Sequence, residues 1–443
     1  MKVSAAVPRL IGMQAAQADT LTEPAADAVP SAGVHLPTCR FCGEALEHTF
    51  VDLGMSPLCE SYVPADRVNA MEAFYPLHAK VCESCLLVQL EEFVTADAIF
   101  SEYAYFSSYS DSWVAHARNY VEMAIERFGL DQNSLVMELA SNDGYLLQHV
   151  VARGVPALGI EPAANVATVA REKGIDTIVE FFGRDLAGRL VAEGRSADLL
   201  AANNVMAHVP DLNDFVGGIG IVLAPEGVAT IEVPHLLRLV ESNQFDTIYH
   251  EHFSYFSLLS ARKVLEAHGL QLFDVDELRS HGGSLRLYAQ RAETGRQAIS
   301  PHVEELAAHE RTLGFDTLEG HRSFSHQVNE TKWRLLDFLI ARRREGKRIA
   351  GYGAPGKGNT LLNFCGIRTD LLDYTVDRNP YKQGQFLPGT HIPIKHPEVL
   401  ELDRPDYILI LPWNLKEEIV EQLAYAREWG AKFIVPIPEV QVL

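Results

Sequence analysis

An α/β protein built round a doubly wound sheet, with a metal-stapled module ahead of it and a smaller Rossmann-like unit behind it, follows from three observations. Between Leu135 and Gln290, short apolar runs alternate with segments of helical periodicity, the pattern of a parallel sheet with crossover helices. Two Cys-x-x-Cys pairs, Cys39/Cys42 and Cys82/Cys85, precede that region. After it, a strand-like run ends in Gly351-Tyr-Gly353-Ala-Pro-Gly356-Lys357-Gly358, a glycine turn of the kind that joins a strand to a helix at a nucleotide. At 443 residues the chain has room for two to four domains, and 47% hydrophobic content supplies their cores.

Composition narrows the function classes. The 59 acidic residues outnumber 38 basic ones, and the formal charge of −21 argues against nucleic acid or an anionic membrane as partner. A local basic pocket for a phosphate is still compatible with it. The chain lacks the run of about eighteen apolar residues that a membrane-spanning helix requires. Residues 1–36 read as a disordered tail, Ala-rich with Pro24 and Pro30 and without the apolar core of a signal peptide. Six cysteines, four of them in Cys-x-x-Cys pairs, are not a secreted disulfide framework, so cytoplasm is the expected compartment. The chain is expected to act as a monomer or a dimer.

Residues 37–98 are expected to form a zinc-binding domain. The 39 residues between Cys42 and Cys82 suit a ribbon whose two knuckles are brought together by strands. Each pair points two sulfurs inward, and two pairs complete a tetrahedron. The competing reading, two redox motifs, lacks the strand-to-helix context of such sites. A closed four-sulfur site leaves no place for substrate, so the role is structural. Cys59 and Cys365 read as buried thiols, with Cys59 or His78 as reserve ligands.

Residues 99–300 carry the main sheet. A tyrosine-rich stretch, Tyr103, Tyr105 and Tyr109, leads to a helix from Trp113 to Phe128, capped by Asp111 or Ser112 and stopped at Gly129. Strands are expected at 135–139, 156–160, 175–179, 197–202, 228–233, 270–274 and 284–290. The last connection is too short for a parallel crossover, so the seventh strand is expected to run antiparallel. Ligands of such sheets lie beyond the carboxyl ends of the strands. Those ends are the turn Glu138-Leu-Ala140-Ser-Asn142-Asp143-Gly144, then Glu161, Asn203-Asn204 and Pro234-His235. Glu161 stands where an acid takes both hydroxyls of a ribose. Asn142 and Asp143 tolerate left-handed backbone and offer polar contacts.

ELASNDGYLLQ, GIEP, NNVMAHVPDLNDFV and YHEHFSYFS, in that order, resemble the zinc-containing sugar C-methyltransferases that act on nucleotide-linked 4-keto-deoxysugars with S-adenosylmethionine. The likeness runs from Cys39 to the C-terminus and implies a class I methyltransferase sheet, whose hallmark is an added antiparallel strand. It implies transfer of a methyl group to the carbon beside the ketone of a thymidine diphosphate sugar destined for a branched-sugar secondary metabolite. Cofactor contacts would be Glu138, Ala140, Asn142, Asp143, Gly144, Glu161 and Asn203.

Such a reaction needs a carbon nucleophile, hence a base for the proton alpha to the carbonyl. Histidine titrates near neutrality and suits that task. By the family's motif His252 is the base, Tyr249 and His208 hydrogen-bond the enolate or sugar oxygen, Glu251 orients a neighbour or the sugar, and Tyr103 reaches the site. A metal site made of His250, Glu251, His252 and His208 is the other sharp reading of the same residues, disfavoured because adjacent residues rarely point to one ion. Arg286, after His281-Gly-Gly, either pairs with an acidic ligand group or is a solvated strand residue.

Residues 301–345 read as a helical connector and 346–443 as the Rossmann-like unit, with strands at 347–353, 374–377, 407–411 and 432–436. The turn fits G-x-G-x-x-G with Asp377 as its acid, and nearly fits a P-loop, except that Gly358 replaces the hydroxyl residue that would hold magnesium. Gly356, Lys357 and Asn359 are candidate contacts for a substrate phosphate, against a purely structural turn. An NAD-dependent sugar-nucleotide oxidoreductase or epimerase is the alternative function, alongside methylation of another carbonyl-activated acceptor.

Overall fold

The computed structural model describes residues 37–95 and 106–443. The expected tail, residues 1–36, and Tyr103 lie outside the described residues. Residues 37–443 make one compact unit. Its first strands are β1 (His48–Ser56), β2 (Tyr75–Val81) and β3 (Val88–Gln89). Next come β4 (Val136–Leu139), β5 (Ala157–Ile160), β6 (Asp176–Ile178), β7 (Ala197–Asn203), β8 (Leu223–Pro234), β9 (Ser254–Tyr255), β10 (Leu270–Leu278) and β11 (Ser284–Arg291). The last are β12 (Ile349–Tyr352), β13 (Thr375–Val376), β14 (Ile394–Lys395), β15 (Tyr407–Ile410), β16 (Lys432–Val435) and β17 (Gln441–Val442).

The central sheet has the order β10-β11-β8-β7-β4-β5-β6. Strands β4 to β8 pair in parallel, while β11 runs antiparallel to both β8 and β10. The short connection after Leu278 forces that reversal, as its length implied. All four residues of β4 are buried, which is why the strand reads as a continuous apolar run broken only by Glu138. The helix Asp111–Phe128 starts at Ser110, whose hydroxyl accepts from the Trp113 N–H, and ends on left-handed Gly129. The cap is therefore one residue ahead of Asp111 and two ahead of Ser112.

The C-terminal sheet, β14-β13-β12-β15-β16-β17, is parallel except for β17. The first sheet runs β1-β2-β3-β9. Its fourth strand is thus supplied by the segment that follows β8, Val88 pairing with Tyr255 and Gln89 with Ser254. One apolar core joins Phe50, Leu77 and Val88 of this sheet to Phe245 and Tyr255 and to Leu361, Ile408 and Phe433 of the C-terminal unit.

Candidate active site

At the end of β4 the turn needs left-handed backbone at Ala140 (φ 55°), Asn142 (φ 48°) and Gly144 (φ 75°). A Cβ on Gly144 would lie 2.3 Å from Ile175 Cδ1, so this left-handed position favours glycine. The turn is braced from three sides. Glu161 accepts from the Asn142 N–H at 2.9 Å and the Ala163 N–H at 2.8 Å. Asn142 Oδ1 accepts from the Ser107 N–H at 2.9 Å. Asp143 receives Lys173 Nζ at 3.3 Å and the Ser108 hydroxyl. Asn142 Oδ1 and Asp143 Oδ2 thus hold the turn, while Asp143 Oδ1 is buried without a hydrogen-bond partner among the described residues. Burial pushes the Glu161 carboxyl up, and the two backbone N–H groups oppose it.

Deeper in the site, both carboxylate oxygens of Glu138 and the Oδ1 of Asn203 are buried without a hydrogen-bond partner among the described residues. Both residues lie near the buried Tyr145 hydroxyl. Burial drives the Glu138 carboxyl well up, tempered by that hydroxyl. Unpartnered buried acceptors are costly, and the α-ammonium and sulfonium charges of S-adenosylmethionine are what such acceptors satisfy. The residues present fit that cofactor.

Beyond β7 and β8 two loops meet. The rings of His208 and His252 stand edge to face at 4.6 Å, and the Tyr249 ring lies 4.1 Å from that of His252. His252 Nδ1 is 3.0 Å from the Thr247 carbonyl. A carbonyl only accepts, so Nδ1 carries the proton and Nε2 of the neutral ring carries the lone pair. The loops are stitched together by the Phe253 N–H donating to the Ala207 carbonyl at 2.7 Å.

The other two members of the tetrad point elsewhere. His250 Nε2 donates to the Pro76 carbonyl of β2 at 3.2 Å, with Tyr75 edge-on at 5.9 Å. Glu251 faces the Cys59 thiol, with a sulfur–oxygen distance of 3.9 Å. Burial, then repulsion from Glu60, pushes Glu251 up to about 7. The expected catalytic place of Glu251 is thereby corrected to a contact with the zinc-domain loop. The divergence of these neighbours also removes the His-Glu-His metal reading.

Arg286 donates to Glu232 at 3.0 Å inside the sheet and stacks on Tyr120 at 4.7 Å. Glu232 also meets His116 at 3.0 Å and the Ser280 hydroxyl at 2.7 Å. Arg286 is thus buried and paired with Glu232, which corrects the reading of a solvated strand residue. The glycine turn of the C-terminal unit is likewise enclosed. A Cβ on Gly356 would meet Cys59 Sγ and Glu60 Oε1 at 2.9 Å. Asn359 Nδ2 donates to the Cys59 carbonyl at 2.6 Å. Lys357 is half-buried, donates to Asn414 at 3.0 Å and lies 4.9 Å over Trp413. Asp377 accepts from the Ala354 N–H at 2.7 Å. None of these presents a phosphate or dinucleotide cradle; the zinc-domain loop occupies that place.

Cys39, Cys42, Cys82 and Cys85 gather with all four sulfurs within 4.8 Å of one another. The Cys39–Cys85 and Cys42–Cys82 separations are 3.6 and 3.5 Å. Those are too long for disulfides and close to the edge of a tetrahedron with metal–sulfur bonds of about 2.3 Å. The set fits zinc. Cys59 lies apart against Glu251, and His78 is engaged with Thr49 at 2.8 Å. Two residues that the sequence did not single out complete the picture. Arg40, inside the first knuckle, reaches the Pro210 and Leu90 carbonyls. Asp246, which accepts from Trp413 Nε1 at 2.7 Å, anchors the loop before Tyr249. Arg40 carried a signal in its place between two ligands; Asp246 carried none.

Three family descriptions match successive parts of the chain: a zinc binding domain at residues 39–100, a methyltransferase domain at 113–275 and a C-methyltransferase C-terminal domain at 279–438. The C-methyltransferase NovU of Streptomyces niveus is 36% identical over 405 residues, covering 91% of this chain and 96% of that protein. Among solved structures, magnesium protoporphyrin IX methyltransferase of Synechocystis is 15% identical over 40% of this chain and 83% of its own, with TM-score 0.33. An S-adenosylmethionine-dependent methyltransferase of Clostridium acetobutylicum is 11% identical over 40% of this chain and 91% of its own, with TM-score 0.32. The chain belongs to the S-adenosylmethionine-dependent C-methyltransferases that carry an N-terminal zinc-binding domain.

Proposed function

We propose that this enzyme methylates the carbon beside the ketone of a nucleotide-linked 4-keto-deoxysugar, a thymidine diphosphate sugar in the first instance, within branched-sugar biosynthesis. The observation that carries the reading is the His208–His252–Tyr249 cluster, with His252 Nδ1 held on the Thr247 carbonyl. S-adenosylmethionine, when bound, supplies the electrophilic methyl group. The chain's own residues make the nucleophile. His252 Nε2 takes the proton alpha to the ketone, and the Thr247 carbonyl steadies the imidazolium that results. Tyr249 and His208 donate to the oxygen on which enolate charge grows, where fixed donors are worth most. Cys39, Cys42, Cys82 and Cys85 hold zinc away from this chemistry and keep the first sheet folded. That NovU is named a C-methyltransferase supports carbon as the acceptor atom.

Titration calorimetry with S-adenosylhomocysteine, with and without thymidine diphosphate, tests the ligand pair. Loss of the alpha proton of dTDP-4-keto-6-deoxyglucose into deuterated water tests the base. His252→Asn is expected to lower both exchange and methyl transfer by about a hundredfold or more, with homocysteine-product binding unchanged. A variant that still exchanges the proton at the wild-type rate would remove His252 from the role.

A further inference from the structure

We propose that Arg40, the residue inside the first Cys-x-x-Cys turn, is a positioning residue that fixes the two histidine-bearing loops against each other, so that the zinc knuckle sets the His208–His252 geometry. The proposal rests on the reading of those histidines as the reacting pair. Arg40 Nη1 donates to the Pro210 carbonyl at 2.7 Å, two residues past His208. Its Nη2 donates to the Leu90 carbonyl, and the guanidinium lies 5.2 Å over the ring of Phe253, the neighbour of His252. Leu90 in turn donates its N–H to the Phe253 carbonyl at 3.0 Å, and Phe253 donates to Ala207 at 2.7 Å. The contacts close a ring through Pro210, Arg40, Leu90, Phe253 and Ala207, with a histidine next to each of the last two.

The other end of Arg40 is fixed to the metal site. Its N–H donates to Gln89 Oε1 at 2.9 Å, and Gln89 Nε2 donates to Cys39 Sγ at 3.1 Å. Asn213 Nδ2 donates to the carbonyls of Arg40 and Phe41 at 3.2 and 2.9 Å. Among the described residues the guanidinium makes no ion pair with a carboxylate. A partly buried cation resting on two backbone carbonyls is an expensive strut where an apolar side chain would fill the space more cheaply. What the guanidinium adds is a rigid planar fork that holds two carbonyls at one separation. A thiolate-bound zinc ion locks the turn from which that fork projects.

The test compares zinc-loaded wild type, Arg40→Met and Arg40→Lys by zinc content, S-adenosylhomocysteine binding and ¹³C–¹H spectra of the histidine rings. His208 and His252 are assigned through His208→Asn and His252→Asn. In Arg40→Met, zinc content and homocysteine-product binding are expected to stay at wild-type values while both ring resonances move and the contact between the rings weakens. With dTDP-4-keto-6-deoxyglucose as acceptor, kcat falls about a hundredfold at nearly constant KM. Arg40→Lys, which reaches one carbonyl, falls between the two. Unmoved ring resonances in Arg40→Met overturn the proposal, as does an Arg40→Lys protein indistinguishable from wild type. Loss of zinc from Arg40→Met also overturns it, by assigning Arg40 to the knuckle alone. Should Arg40→Met fail to fold, the spectra of Arg40→Lys decide. An active His252→Asn protein would remove the catalytic reading while leaving the ring shifts of Arg40→Met intact, so the two failures are separable.

Discussion

Glu251 sits beside a thiol and a second carboxylate in a place with little water, and its proton is the variable there. Burial and Glu60 raise its carboxyl to about 7 from an ordinary 4.5. A folded state that binds the proton more tightly than the unfolded one is stabilised by it. The stability is therefore fully present below the unfolded value and is lost as pH rises through about 7. Glu251→Gln removes the ionisation and should be more stable than wild type at pH 8, by about 1–3 kcal/mol. Thermal unfolding at pH 5 and pH 8 checks this. A gap of equal size at both pH values would show that the proton is not the cause. The gathering of Tyr249, His208 and His252 agrees with what their motifs led us to expect, whereas the orientations of His250 and Glu251 were not readable. In an irregular loop successive side chains follow no fixed period, so sequence spacing says nothing about which wall each one meets.

Among elements, β9 has two residues and no pattern of its own. It exists because β3 offers it a ladder, and β3 leads directly from the Cys82–Cys85 knuckle. Zinc should therefore govern the local opening of the strand that follows His252. In Cys82→Ser, or after chelation, amide exchange at Leu90 and Phe253 is expected to quicken by about a hundredfold. Homocysteine-product binding at the β4 turn should persist, because that turn is braced by Glu161, Ser107 and Lys173 instead. Unchanged exchange at both amides would sever the zinc site from β9. Gly144→Ala tests the turn from the other side, since the added Cβ meets Ile175 at a left-handed φ. It should cost about 1–3 kcal/mol of stability and weaken homocysteine-product binding, as denaturant melts and calorimetry would show. The central sheet was legible because apolar runs and crossover lengths are local properties of the chain. The glycine turn at 351–358 was legible as a strand-to-helix turn, but its enclosure was not. The bond from Asn359 to the Cys59 carbonyl joins residues 300 apart, and nothing near either one announces it.

Across residues 37–443, the three sheets form one compact unit, the two outer sheets share an apolar cluster, and their loops interlock. Tyr62 donates to the Ala354 carbonyl at 2.6 Å, Lys382 donates to the Tyr62 hydroxyl at 2.7 Å, and Glu72 holds Gly389 and His391 at 2.7 and 2.9 Å. Asp246, raised to about 6 chiefly by burial with Lys357 opposing, ties the loop before Tyr249 to Trp413. Chains with several domains often unfold in steps, but a step needs an interface that opens at little cost. Here opening either outer sheet would expose residues of the same apolar cluster. Zinc-loaded protein is therefore expected to show a single calorimetric transition, with zinc release sharing its midpoint. Asn359→Ala leaves the Cys59 carbonyl without its donor, a loss of about 1–2 kcal/mol, which for a chain of this size moves the midpoint by only about 1–3 °C. The variant should shift the one transition without dividing it. Two resolved transitions, or zinc release well below the main one, would mean that the first sheet opens by itself and that the C-terminal unit does not support the His252 loop.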